Sequence, residues 1–183
     1  MWLKMKEKTV NSICKFSGRL IRIDLLNVRL ENGRKARREV VRHPGAVAVL
    51  CRRPDGVFVF VRQFRKAIEK DLLEIVAGTR EPGERPSVCA RREVREETGY
   101  KVVVLKHLGN VYTAPGFCDE RIGIYFAEIS PSAVKSSPDP DEDIKIFCLN
   151  AHQIETMLAS GKIRDAKTLA AWTLFKRRQH NKS

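Results

Sequence analysis

Residues Gly78–Tyr100 read G-T-R-E-P-G-E-R-P-S-V-C-A-R-R-E-V-R-E-E-T-G-Y. The stretch follows an apolar, strand-like run, Leu72–Val76, and turns at Pro82-Gly83. It then predicts a helix that begins near Pro86 and runs to Thr98. A proline at the first helical position loses an N–H that has no intrahelical partner anyway, and Gly99 is the expected stop. On such a helix Glu93, Glu96 and Glu97 lie three and four residues apart and share a face. Carboxylates forced together repel and raise one another's pKa values unless a cation intervenes. Two readings are open at this point. One is a solvated, salt-bridged face, with Arg92 pairing to Glu96 at i,i+4. The other is a metal site, and an oxygen-only donor set without His or Cys suits a hard ion, Mg²⁺ or Mn²⁺.

Working outward, Leu20–Leu30 alternates with a period of about two and ends at the Asn32-Gly33 turn, before Arg38–His43. An N-terminal hairpin or small meander is expected. Ala46–Arg53 and Val57–Phe64 are apolar runs joined by Pro54-Asp55-Gly56, a hairpin turn. Lys101–Tyr112 and Arg121–Ile129 read as further strands around a loop containing Pro115-Gly116. Ser130–Asp143 is polar and proline-rich, and loops of that length are often functional. After a strand at Ile144–Leu149, Asn150 and Gln153 form a capping-box pattern, and Gly161 closes that helix. Asp165 can cap a last helix whose apolar positions Leu169, Trp172 and Leu174 suggest packing on a sheet. The fold class is therefore α/β (α+β): a mixed sheet with helices on its faces, preceded by a small N-terminal antiparallel strand unit. Residues 1–44 are expected to form that unit and 45–183 the main domain.

Composition narrows the class. A chain of 183 residues with 43% hydrophobic and 31% charged content fits a globular protein with a substantial core. Apolar runs are too short to span a membrane, and the N-terminus lacks the apolar stretch of a secretory signal. Five scattered cysteines without a C-x-x-C pair read as reduced, buried thiols, which points to the cytoplasm. The net charge of +13 suits a nucleic-acid partner or small phosphorylated ligands equally. Its basic clusters lack the interleaved aromatics of a single-strand binding surface, which argues against nucleic acid.

Read with its flanks, the glutamate helix gains a second meaning. From Gly78 the chain runs five residues to Glu84, then seven to Arg92-Glu93-Val94-x-Glu96-Glu97-x-Gly99. This spacing resembles the signature of the Nudix hydrolases, with Tyr100 in a slot usually aliphatic. Eight fixed positions at ordinary residue frequencies match by chance in roughly one start in 10⁹, which sets the solvated-face reading aside. The resemblance extends over nearly the whole chain to the ADP-ribose pyrophosphatase branch. It is carried by Arg37–Val47 (R-R-E-V-V-R-H-P-G-A-V), Arg62–Arg65 (R-Q-F-R), Asp71–Gly78 (D-L-L-E-I-V-A-G), Tyr112–Phe117 (Y-T-A-P-G-F) and Asp165–Ala171 (D-A-K-T-L-A-A). In that branch a proline sixteen residues past the signature's last glycine marks ADP-ribose specificity, and Pro115 lies sixteen past Gly99.

The resemblance implies a Nudix α/β/α sandwich that hydrolyses the diphosphate of ADP-ribose or a related nucleoside diphosphate sugar. The expected products are AMP, or another nucleoside monophosphate, and a sugar phosphate. It implies Mg²⁺, or Mn²⁺, held by Glu93 and Glu97 with the Ala77 carbonyl, and Glu96 as a further ligand or a group beside them. Gly78 is expected to let the chain turn sharply so that this carbonyl faces the metal. Arg92 and Glu84 would hold helix and loop in place. A carboxylate on the loop after the helix would be the base; Glu142 sits at the matching position, with Asp143 and Asp141 as rivals. The branch forms homodimers whose N-terminal units cross over, so Arg38 and Glu39 are expected at the ligand across the interface. Arg65 is expected on the diphosphate, with Pro115 and Gly116 in the substrate-binding loop. An RNA-end or nucleotide pyrophosphohydrolase, and a catalytically silent ligand sensor, are the alternatives.

Overall fold

Gly- and Pro-containing turns punctuate a chain made mostly of strands, and the computed structural model describes residues 6–136 and 143–180. The chain falls into two units, one of Met1–Pro44 with Tyr112–Arg121, the other of Gly45–Val111 with Ile122–Ser183.

The first unit is a three-stranded antiparallel meander of β1 (Glu7–Ser17), β2 (Arg22–Leu30) and β3 (Lys35–Arg42). Strand β2 buries Asp24, Leu26 and Val28 and turns the residues between them outward, the period-two pattern of a half-buried strand. Buried Asp24 takes hydrogen bonds from Arg42 and Arg22, which hold its carboxyl below the ordinary value against the cost of burial. The Tyr112–Arg121 loop joins this unit through Val41, whose N–H donates to the Phe117 carbonyl at 2.7 Å and whose carbonyl accepts from Asp119 at 3.0 Å. Every residue of β1 is exposed, Val10, Ile13 and Phe16 included.

The second unit is built on a seven-stranded mixed sheet, formed by β4 (Ala46–Arg52), β5 (Phe58–Arg65), β6 (Lys70–Glu74), β7 (Val76–Thr79), β8 (Val102–Tyr112), β9 (Arg121–Ile129) and β10 (Ile144–Leu149). The path is β10-β5-β4-β9-β8, with β4 and β9 parallel. The expected single strand at Leu72–Val76 is two: β6 pairs with β5, the chain changes partner at Ile75, and β7 pairs with β4. Central strand β4 is buried on both sides. Its Ala46, Ala48 and Leu50 face a cluster with Ile154 of helix α2 (Ala151–Ala159) and Trp172 and Phe175 of helix α3 (Ala166–His180). Val47, Val49 and Cys51 face Cys89, Ala90 and Val94 of helix α1 (Pro86–Thr98). The unit is thus a sheet between helical layers, with α1 alone on its side of β4.

Local chemistry sets the helix ends. The Asn150 side chain accepts from the Gln153 N–H at 2.9 Å while the Gln153 side chain accepts from the Asn150 N–H at 2.8 Å, the full capping box. Asp165 caps α3 through the Thr168 N–H at 2.9 Å. The face of α3 differs from the one read in sequence. Leu169 is 40% exposed, and Phe175 takes the core position instead, 4.9 Å from Phe126 and 5.5 Å from Phe58 between ring centroids. The cysteines also depart from expectation, since Cys51 and Cys89 are buried but Cys14 and Cys148 are exposed; all five are free thiols. Among the described residues no helix is long and apolar enough to cross a membrane.

The packing of α3 makes a contrast that denaturant melts can read. Phe175→Ala should cost about 3–5 kcal/mol, as for a large aromatic removed from a close-packed core. Leu169→Ala, on the same helix, should cost no more than about 0.5 kcal/mol.

Candidate active site

Helix α1 carries the glutamates, and the manner of its seating decides where they point. Pro86 opens the helix, and Gly99 closes it in the left-handed conformation at φ 72°. A side chain at Gly99 would also collide with the Val134 carbonyl, since a Cβ there would lie 1.9 Å from that oxygen. The apolar side of α1 is pinned on the sheet by Cys89, Ala90 and Val94. One turn along, Glu93 and Glu97 are drawn down with it, to 9% and 5% exposure.

Gly78 is required for a different reason than a sharp turn. It lies inside β7 with ordinary extended geometry, and its φ is not positive. The Glu93 carboxyl lies directly over it, so that a Cβ at Gly78 would sit 1.9 Å from Glu93 Cδ and Oε1. The glycine is therefore a cradle for a carboxylate. Beside it, the Ala77 N–H faces Glu97 Oε1 at 3.4 Å. Two buried carboxylates thus converge on two successive residues of one strand. Cys89 packs beneath them, its thiol 3.7 Å from the Thr79 carbonyl and 4.0 Å from Glu93 Oε1. Burial raises that thiol to about 12, so it stays protonated and inert.

Arg92 supplies the countercharge. Its Nε and Nη2 donate to the two oxygens of Glu84 at 2.9 and 3.0 Å, a fork that ties the loop before α1 to the helix. Nη2 also reaches the Thr79 carbonyl at 3.2 Å, and Nη1 lies 2.9 Å from Glu96 and 2.8 Å from Glu93. The Arg92 hydrogen bonds, outweighing the opposing effect of burial, hold the Glu84 carboxyl at about 2.

Ala77, Arg92, Glu93, Glu96 and Glu97 are brought together by α1 and β7. Arg65 belongs to the same unit, but its guanidinium is engaged along one edge by Glu74, at 2.8 and 2.7 Å. Arg38 and Glu39 lie on β3 of the other unit, where Arg38 pairs with Glu7 at 2.7 Å and Glu39 is exposed. Pro115 and Gly116 are exposed in the Tyr112–Arg121 loop, also in that unit. Asp143 is exposed at the foot of β10; Glu142 and Asp141 lie outside the described residues.

A second cluster escaped the sequence reading. Glu74 is only 1% exposed and takes the Arg65 fork together with Lys167. Burial raises its pKa, but Arg65 and Lys167 outweigh that and leave it lowered. The available signal was a lone glutamate inside the apolar run Leu72–Val76, where an unpaired charge would cost several kcal/mol.

The residues present fit a hard divalent cation. The acidic side chains gathered there offer oxygen donors, two of these carboxylates are buried, and the Gly78 cradle holds one of them beside Ala77. Among the described residues no three acidic, imidazole or thiol groups converge tightly enough to enclose an ion. With Arg92 as the countercharge, Glu93 and Glu96 are drawn to its guanidinium.

Comparison with known proteins gives a family, three relatives and a structural neighbour. The NUDIX domain profile matches residues 41–172. The chain is 39% identical over 168 residues to an ADP-ribose pyrophosphatase of Bacillus subtilis, covering 91% of each chain. It is 40% identical over 167 residues to a methanol dehydrogenase activator of Bacillus methanolicus, covering 91% of this chain and 90% of that one. A GDP-mannose pyrophosphatase of Escherichia coli shares 36% identity over 147 residues, 72% of this chain and 76% of its own. In fold, the crystal structure of an ADP compounds hydrolase superposes with a TM-score of 0.82 at 20% identity, over 97% of this chain and 96% of that one.

Two outcomes test this geometry. Gly78→Ala meets only the movable end of Glu93, so the protein should stay folded with its melting temperature nearly unchanged. Displacing that carboxylate should weaken Mn²⁺ binding, followed by electron paramagnetic resonance, by about tenfold or more. The Glu84–Arg92 fork has a pH signature. Glu84 has a depressed pKa, so its stabilisation is complete above the ordinary value of 4.5 and is lost as pH falls toward about 2. In Glu84→Gln the melting temperature should therefore fall less steeply over that window than in the wild type.

Proposed function

The chain belongs to the Nudix family and is a pyrophosphatase, and from that premise we propose that it cleaves the diphosphate of ADP-ribose in a Mg²⁺-dependent reaction, giving AMP and a sugar phosphate. The observation that carries the reading is the pair of buried carboxylates, Glu93 and Glu97, seated against β7 at Gly78 and Ala77. Nudix hydrolases generally use divalent metal ions. Here Glu93, Glu97 and the Ala77 carbonyl would hold the ion, with Glu96 beside them. When bound, the metal neutralises diphosphate oxygens and lowers the pKa of a coordinated water.

The chain's own residues do the rest. Arg92 keeps the loop and helix in register, so the carboxylates meet the substrate already placed and no reorganisation is needed during reaction. Arg65 offers the diphosphate a planar guanidinium, which suits phosphate oxygens better than a point charge. Glu142, or its neighbours Asp141 and Asp143, takes the proton of the attacking water. The +13 charge favours an anionic substrate by long-range attraction. The exposed apolar residues Val10, Ile13 and Phe16 on β1 support a homodimer formed through the N-terminal unit. In that dimer Arg38 and Glu39 reach the partner copy's ligand, and Pro115 and Gly116 shape the substrate loop. The free thiols are consistent with a reducing cytoplasm.

The test is a substrate panel of ADP-ribose, GDP-mannose, ADP-glucose and 5′-triphosphate RNA, with Mg²⁺ and with EDTA. ADP-ribose should be hydrolysed fastest and only with the metal, and Glu97→Gln should lower kcat by about 10³-fold or more while the protein stays folded. Faster turnover of the RNA, or unchanged turnover by Glu97→Gln, contradicts the reading.

A further inference from the structure

Arg65 is held along one edge only. Its Nε and Nη2 are spent on the Glu74 carboxylate, at 2.8 and 2.7 Å, whereas Nη1 has no acceptor among the described residues. The side chain is 39% exposed, while Glu74 behind it is 1% exposed. Glu74 has a second cation as well, because Lys167 Nζ donates both to Glu74 Oε2 and to Asp165 Oδ1, the latter at 2.9 Å. Asp165 in turn accepts from the Thr168 N–H at 2.9 Å and hydroxyl at 2.6 Å. The Thr168 hydroxyl oxygen accepts the Ile75 N–H at 3.0 Å. Two cations and two carboxylates therefore join β5, β6 and the first turn of α3 at the residue where the chain leaves β5 for β4. Ala77 is two residues further along. Glu97 adds to the field at Arg65, behind the larger effect of the Glu74 hydrogen bonds.

Stability alone does not call for such a network, since apolar residues of similar volume often join a helix to a sheet as well or better. The arrangement does control where a charge points. We propose that Glu74 and Lys167 are positioning residues for diphosphate recognition: Glu74 fixes the plane of the Arg65 guanidinium, and Lys167 neutralises Glu74, so that the outward edge of Arg65 keeps its positive charge for a phosphate oxygen. Without Lys167, the buried carboxylate would draw on Arg65 alone and cancel the charge meant for the ligand. The inference rests on the pyrophosphatase reading above.

The probe is the ADP-ribose analogue with a methylene bridge in place of the diphosphate oxygen, its binding measured by calorimetry in Mg²⁺ beside melting temperatures. Lys167→Met should weaken binding about tenfold, Lys167→Arg should restore it to within about threefold, and in an Arg65→Ala background Lys167→Met should have no further effect. Arg65→Lys supplies a charge for Glu74 but no second edge, and should weaken binding about tenfold with little change in melting temperature. An equal loss from Lys167→Met with and without Arg65 overturns the proposal, as does wild-type affinity in Arg65→Lys. If Lys167→Met does not fold, Arg65→Lys decides alone. Absence of binding by the wild type overturns the ADP-ribose reading instead, because the variants then have no affinity to lose.

Discussion

A single guanidinium makes the glutamate helix tenable. Three carboxylates within five residues of α1 repel one another, and two of them are buried, where repulsion is poorly screened. Arg92 lies against Glu93 and Glu96 and, through a two-pronged bond, against Glu84 of the preceding loop. It also holds the carbonyl of Thr79, the last residue of β7. Strand, loop and helix are thereby tied at one cation, and the Glu93 and Glu97 carboxylates face the backbone of β7 instead of solvent. The helix could sit elsewhere on the sheet only by breaking these bonds and leaving buried charge unpaired, which costs several kcal/mol.

Much of this was legible because the signals are local. Pro86 and Gly99 bound a helix by their own backbone preferences, and the Asn150–Gln153 box needs only three residues of separation. Pro54-Asp55-Gly56 fixes its hairpin in the same way. What was not legible depends on partners far away in the chain. Glu74 meets Lys167 across 93 positions, and no pattern around either residue announces the other. The partner change at Ile75 is likewise set by Thr168 on another element. Leu169 and Phe175 are both apolar, and only the aromatic neighbours Phe58 and Phe126 decide which one the core accepts. Strand β1 was missed because its residues alternate weakly and all remain exposed within the chain.

The two glycines of the signature illustrate how one residue type answers two different demands. Gly99 is needed for its positive φ and for the Val134 carbonyl that approaches it. Gly78 has ordinary strand geometry and is needed only for its missing Cβ, because a carboxylate occupies that space. The first demand belongs to folding and the second to chemistry. Both could be read as glycine positions in the sequence, but the difference between them required the side chain of Glu93 to be placed.

The proposed metal site for a diphosphate rests on the carboxylates seated on β7. Anomalous diffraction from crystals grown with Mn²⁺ and the methylene-bridged ADP-ribose analogue tests it most directly. The expected result is a peak about 2.0–2.4 Å from carboxylate oxygens of Glu93 and Glu97 and from the Ala77 carbonyl, with analogue phosphate oxygens bound to the same ion. A metal bound away from these groups, with the analogue in place, would contradict it.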